Sequence, residues 1–286
     1  EDLAATFGER YGRAGEFLAA LDACEREAKS PRADATGAVE LRARIEGLKR
    51  DALLANPLLD FDELLVVRRV PAGDPRRSRW ADRGLGEYLG MPRQSSWHLG
   101  TMTNADAWVN EIAVLSPVRP DGALRTLFAP EGTRLVTDAD LRFDAEKLLF
   151  SMPDARARFQ VYEIDARGRN LRQLTPSGLG DVHCYDACYL PSGSIAFLST
   201  APLQGVPCNA AVIVGMMYRM NADGSGIRQV CFEQDHDYCP SVLNDGRVLY
   251  LRWDYTDTPH VWNRLLMSMN PDGTGQMEFY GASSYW

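Results

Sequence analysis

The chain is short of most features that would announce a chemistry. It has only four histidines, at positions 98, 183, 236 and 260, and it contains no Gly-x-Ser-x-Gly elbow, no His-Glu-x-x-His helix, no phosphate-binding loop and no Cys-x-x-Cys-His. These absences remove the commonest hydrolase, zinc-protease, nucleotide-binding and c-type haem motifs. No apolar run approaches the roughly 20 residues that span a bilayer. Glu1-Asp2-Leu3 offers neither a basic n-region nor an apolar h-region, so an exported gene product is expected to have shed its signal peptide before this sequence begins. Positive charge is also scarce: 31 Lys and Arg stand against 39 Asp and Glu, for a net charge of −8 and a pI near 5.1. That balance argues against nucleic acid or an anionic membrane as partner. The one basic run, Arg76-Arg77-Ser78-Arg79, is short and reads as a solvated loop.

Apolar residues make up 45% of the 286 positions, enough to bury a large core. The first stretch is helical in period. Phe17, Leu18, Leu21 and Cys24 recur at three- and four-residue spacing, as do Val39, Leu41, Ile45, Leu48, Ala52 and Leu53 beyond Ser30-Pro31. The second helix is expected to stop near Asn56-Pro57, where proline restricts the residue before it and lacks a donor. From Leu64 onward the pattern becomes short β-rich runs: 64–67, 112–115, 148–151 and 160–164. The expected organisation is a helical hairpin over 1–57 and a β domain over 58–286, with a long irregular insertion at 71–110.

Internal repetition is the strongest signal. One turn recurs as Arg119-Pro-Asp-Gly-Ala-Leu-Arg-Thr-Leu-Phe128, Asp165-Ala-Arg-Gly-Arg-Asn-Leu-Arg-Gln-Leu174, Asn221-Ala-Asp-Gly-Ser-Gly-Ile-Arg-Gln-Val230 and Asn270-Pro-Asp-Gly-Thr-Gly-Gln-Met-Glu-Phe279. Its glycines, Gly122, Gly168, Gly224 and Gly273, are 46, 56 and 49 residues apart, the period of a four-stranded propeller blade. Between them lies a second turn feeding an apolar strand: Phe143 to Ser151, Leu190 to Ser199 and Leu243 to Arg252. Two hairpin signals in fixed order describe one antiparallel blade, and the glycines supply the positive φ such turns require. The acidic turn at 221–226 is not read as a calcium loop, because Arg167 replaces the would-be ligand in the sister turn.

The Asn-x-Asp-Gly-x-Gly-x-Arg-Gln-Leu/Val turn, followed by Pro-x-Gly-x-Ile-x-Phe, resembles the TolB-like propeller repeats of exported bacterial proteins over residues 110–281. The resemblance implies a mainly β fold, a β-propeller of four-stranded antiparallel blades, complete or incomplete as a ring, and a periplasmic or secreted location. A narrower set of motifs is similar to the hydrazine synthase alpha-subunit family, chiefly its middle domain. These are Tyr185-Asp-Ala-Cys-Tyr-Leu-Pro191, Gln204-Gly-Val-Pro-Cys208, Leu249-Tyr-Leu-Arg-Trp-Asp-Tyr-Thr-Asp-Thr-Pro-His260 and Tyr280-Gly-Ala-Ser-Ser-Tyr-Trp286, with Ala55 to Asp60 and Asn110 to Pro117. That family carries haem and a zinc ion with cysteine and histidine ligands, so the resemblance singles out Cys208 and His260. Haem attachment has no motif here: the nearest pair is Cys184-x-x-x-Cys188, followed by Tyr189.

Five of the six cysteines fall between 184 and 239, which leaves disulfides, a metal site and buried thiols all open. His183, Cys184, Cys188, Cys208, His236, Cys239 and His260 are the candidate zinc ligands. Cys208, His260, His183 and Cys188 form the set named for zinc, although no pair has the two-residue spacing of a strong motif. Asp235-His236-Asp237 places an imidazole between two carboxylates. In a strand the three would alternate faces, while in a loop they could line the mouth of the propeller. Arg252, Trp253, Asp254, Tyr255 and His260 follow a strong strand and combine aromatic, acidic and basic groups in a manner suited to a ligand surface, carbohydrate included. Together with His236 and Asp237 they are the candidate ligand-binding residues. The expected function is a binding or scaffold module of a larger periplasmic protein or complex. Two alternatives are a redox subunit whose zinc and haem are supplied partly from outside these residues, and a polysaccharide lyase.

Overall fold

The computed structural model describes residues 1–30, 35–71, 108–132, 134–206, 209–254 and 265–281. The chain divides into two compact units: 1–66 with 114–125, and 67–113 with 126–286.

In the first unit α1 (Asp2–Phe7), α2 (Ala14–Ala28) and α3 (Ala35–Leu54) form the helical segment. Helices α2 and α3 pack as a hairpin, burying Phe17 and Cys24 of one and Leu41 of the other. Tyr11 Oη donates to the Ala52 carbonyl at 2.6 Å. Helix α3 ends just before Asn56-Pro57, and the Asn56 side chain accepts from Leu58 N at 3.0 Å to start a short 3-10 turn.

The rest is β. Strands β1 (Leu64–Pro71), β2 (Trp108–Ser116) and β3 (Ala123–Phe128) form a three-stranded sheet in that order. Three four-stranded antiparallel blades follow. Blade 1 is β4 (Thr137–Leu141), β5 (Lys147–Pro153), β6 (Phe159–Asp165) and β7 (Arg172–Gln173). Blade 2 is β8 (Cys184–Tyr189), β9 (Ile195–Ser199), β12 (Met216–Met220) and β13 (Arg228–Gln229), with a small hairpin of β10 (Gly205–Val206) and β11 (Asn209–Ile213) inserted after β9. Blade 3 is β14 (Asp237–Val242), β15 (Val248–Arg252), β16 (Leu265–Met269) and β17 (Met277–Tyr280). Each blade is a meander, so its first and third connections share one end, the turn end. The second connection and the link to the next blade share the other, the loop end.

The turn end repeats one geometry. Gly168 N donates to Asp165 O, Gly224 N to Asn221 O and Gly273 N to Asn270 O, each at 2.9 Å, and all three glycines have φ between 79° and 90°. They are doubly constrained, because each abuts the preceding sheet. A Cβ on Gly168 would lie 2.4 Å from Leu127 O, on Gly224 2.4 Å from Leu174 O and on Gly273 2.9 Å from Val230 O. Leu174 and Val230 occupy the same place in the repeat and Leu127 lies one residue before it, so each glycine turn and the apolar residue near the end of the preceding turn segment are the two halves of one contact between neighbours. The glutamine before Leu174 or Val230 braces the outer corner: Tyr162 Oη donates to Gln173 Oε1 and Tyr218 Oη to Gln229 Oε1, both at 3.1 Å. Gln173 Nε2 then donates to Thr175 O and Gln229 Nε2 to Cys231 O.

The first strands of the blades share a second device. Each bulges at a non-glycine residue of positive φ: Asp138 (53°), Asp186 (52°) and Cys239 (50°). The bulge N–H of one blade is taken by the carboxylate of the blade before it. Asp186 N donates to Asp138 Oδ2 at 3.1 Å, and Cys239 N donates to Asp186 Oδ2 at 2.8 Å. Ser151 Oγ also accepts from Asp186 N at 3.0 Å. Burial pushes the pKa of both aspartates up.

Candidate functional site

At the loop end of blade 1 lies a cavity of about 430 Å³. One wall is the β5–β6 hairpin with Asp154 and Arg156. Another is the loop leading to blade 2 with Ser177, Gly178 and Gly180. Tyr162, Gln173 and Arg134 close it. Asp154 Oδ1 accepts from Arg156 N at 2.8 Å and Arg158 N at 3.0 Å, so this carboxylate braces its own turn. Arg158 is paired with Asp181. Gly178 and Gly180 have φ of 90° and 70°, and a Cβ on either would meet nothing within 4 Å, so the loop lies open. At this end of the blade burial raises the pKa of Tyr162 and is the first cause of the fall of His183 to about 4, to which Arg158 adds.

A second cluster centres on Arg252 at the loop end of blade 3. Its Nε donates to Asp237 Oδ1 at 3.2 Å, its Nη2 to Tyr250 Oη and Gln276 Oε1 at 3.0 Å each, and its Nη1 pairs with Glu233 Oε1 at 3.0 Å. With every nitrogen of the buried guanidinium engaged, the group holds β14, β15 and the blade edge together. Burial raises Asp237 to about 6, with Arg252 opposing the rise.

His236 is fully buried just before β14. Its Nδ1 accepts from Gly215 N at 3.0 Å, and its ring stacks on Trp253 at 6.0 Å between centroids. Of the Asp235-His236-Asp237 run, Asp237 is paired with Arg252 and the His236 Nδ1 accepts from Gly215 N. Trp253 is in the core and Asp254 is half-buried after it. Tyr255, His260 and Cys208 lie outside the described residues, as does most of the 71–110 insertion. His183 Nδ1 accepts from Phe159 N at 3.2 Å, and Cys188 is packed in the apolar core with its pKa raised by burial. Cys24, Cys184, Cys188, Cys231 and Cys239 are free thiols. Among the described residues no three His, Cys, Asp or Glu side chains are grouped to hold a metal, and no helix is long and apolar enough to cross a membrane.

Sequence reasoning singled out the Cys- and His-rich half and passed over the blade 1 cavity. The legible clue was Pro176-Ser-Gly-Leu-Gly-Asp181, which breaks the repeat with two glycines where no tight turn is needed.

No protein-family model matches the chain, and no curated protein matches it. Solved structures do. Hydrazine synthase of Kuenenia stuttgartiensis superposes with a TM-score of 0.54 at 16% identity, covering 77% of this chain and 32% of that one. A TolB-type protein of Agrobacterium tumefaciens gives 0.46 at 19% identity over 60% of this chain and 57% of its own, and TolB of Acinetobacter baumannii gives 0.45 at 14% over 60% and 38%. The chain thus spans less than two thirds of the length of each. The likeness to hydrazine synthase, joined to the blades described above, establishes a mainly β propeller fold. The TolB likenesses are weaker and add no weight.

Proposed function

We propose that the chain is the binding module of a larger exported protein or complex, in which the turn end holds the blades together and the loop end takes up ligand. The observation that carries this reading is the contrast between the ends. The turn end is filled by one repeated contact, whereas the loop end of blade 1 opens into a polar cavity where Arg134, Asp154, Arg156 and Ser177, which belong to no repeated contact, join Tyr162 and Gln173 of the repeat. The TolB-like repeat in the sequence supports an exported location, and the match to only 32% of the hydrazine synthase chain supports a place within a larger protein or complex.

The test is a library of small polar fragments screened by amide chemical shifts on the isotopically labelled chain. Hits are expected to move Gly178 and Gly180 while leaving Gly168, Gly224 and Gly273 in place. Hits spread evenly over both ends, or none at all, would overturn the reading.

A further inference from the structure

We infer that the blade 1 cavity takes a small molecule carrying a carboxylate or phosphate group. The inference rests on the reading of the loop end as the binding surface and names the ligand class. Although the chain carries a net charge of −8, the cavity concentrates Arg134 and Arg156 against a single acid. That acid, Asp154, has one oxygen taken up by the backbone of its own hairpin. Among the described residues neither Arg134 nor Arg156 forms an ion pair. Arg134 is held by long contacts to two carbonyls, Nε to Glu131 O at 3.3 Å and Nη1 to Pro153 O at 3.5 Å, which orient the guanidinium without neutralising it.

The other walls add donors. Ser177 Oγ receives Gln173 Nε2 at 3.4 Å, leaving the hydroxyl proton to give. The N–H groups of Gly178 and Gly180 meet no acceptor among the described residues, and the two glycines, both at positive φ, leave that backbone uncovered. Forked guanidinium groups, a hydroxyl and open backbone N–H groups form a donor set for a planar or tetrahedral oxyanion. At about 430 Å³ the cavity is near the lower end of the range for ligand pockets, which fits a small molecule and not a polymer.

The experiment titrates the labelled chain with citrate and, separately, with inorganic phosphate at matched ionic strength, following the Gly178 and Gly180 amides. It is repeated on Arg156→Gln, Arg134→Gln and the control Arg167→Gln, which makes the same charge change at the turn end. Saturable shifts are expected, weakened about tenfold or more in each of the first two variants and unchanged in the third. Arg156 is exposed, so its variant keeps the test readable even if Arg134→Gln disturbs the fold. Binding of citrate alone assigns a carboxylate ligand, and binding of phosphate alone assigns a phosphate ester. Affinity equal in all variants, or no saturable shift with either anion, overturns the inference. If neutral fragments then still move Gly178 and Gly180, only the ligand class has failed; if nothing moves them, the binding reading fails with it.

Discussion

The two ends of the blades follow opposite rules although the same strands run between them. At the turn end, sequence repeats because geometry repeats: three glycines each sit against a carbonyl of the preceding sheet, Leu127, Leu174 or Val230. At the loop end every connection differs, from a five-residue hairpin at 154–158 to the 200–215 connection that carries its own two-stranded sheet. A propeller can vary its loop end freely only because the turn end and the bulged inner strands fix the blades. Function is therefore to be sought where the repeat is broken.

The comparison breaks first at Arg252, which lies at the loop end yet serves structure as fully as any turn glycine. Arg252→Ala leaves Asp237 and Glu233 without their cation, and a loss of about 3–5 kcal/mol is expected in urea unfolding. A loss below about 1 kcal/mol would mean that the cluster is not the brace described. Next is Gly224→Ala, whose Cβ would be pressed against Leu174 O at 2.4 Å while φ stays at 90°. The expected cost is about 2–4 kcal/mol, read as a lower urea midpoint.

Acid sharpens the comparison in a different way. His183 has a folded pKa of about 4, below its ordinary 6.5, because burial disfavours the imidazolium. Between these values the unfolded chain binds more protons than the folded one, so stability present above pH 6.5 is lost as the pH falls to 4. The amount is about 2 kcal/mol once partial exposure is allowed for. Asp237 acts in the opposite sense. Its pKa of about 6 stands above the carboxylate value of 3.8, so the folded chain holds the extra proton and stability is gained on acidification through the same window. His183→Gln is expected to flatten the acid loss and Asp237→Asn to steepen it, measured as unfolding free energy from pH 7 to 4. Profiles parallel to that of the parent protein would refute both assignments.

The turn end was legible in the sequence and the loop end only in part, for a physical reason. Glycine turns at blade-length intervals are set by backbone geometry, which needs a positive φ there, so Gly168, Gly224 and Gly273 identified the blades directly. The helical hairpin was legible because the apolar period over Phe17 to Cys24 and Val39 to Leu53 matches α2 and α3. The partners of individual polar groups were not legible. Asp237 could be read beside His236, yet its guanidinium comes from Arg252, fifteen residues away on the paired strand β15. The Asp138–Asp186–Cys239 series was equally hidden, because it joins residues about 50 apart through backbone N–H groups that carry no sequence signal. Cysteine clustering left three fates open; the described members are free, and Cys184, Cys188 and Cys231 are buried thiols of the blade core.

The smallest expected effect isolates what the turn end adds. Gly178 and Gly224 have the same φ of 90°, so replacing either with alanine imposes a similar backbone strain. They differ in what a Cβ would meet: open space at Gly178, the Leu174 carbonyl at Gly224. Gly178→Ala is therefore expected to cost about 1 kcal/mol, the strain alone. The difference between the two variants in urea unfolding is then the energy of the contact between blades, free of the φ penalty. Equal losses would mean that the glycine repeat is kept for turn conformation alone, and that the close approach of each turn to the preceding sheet contributes little to holding the blades together.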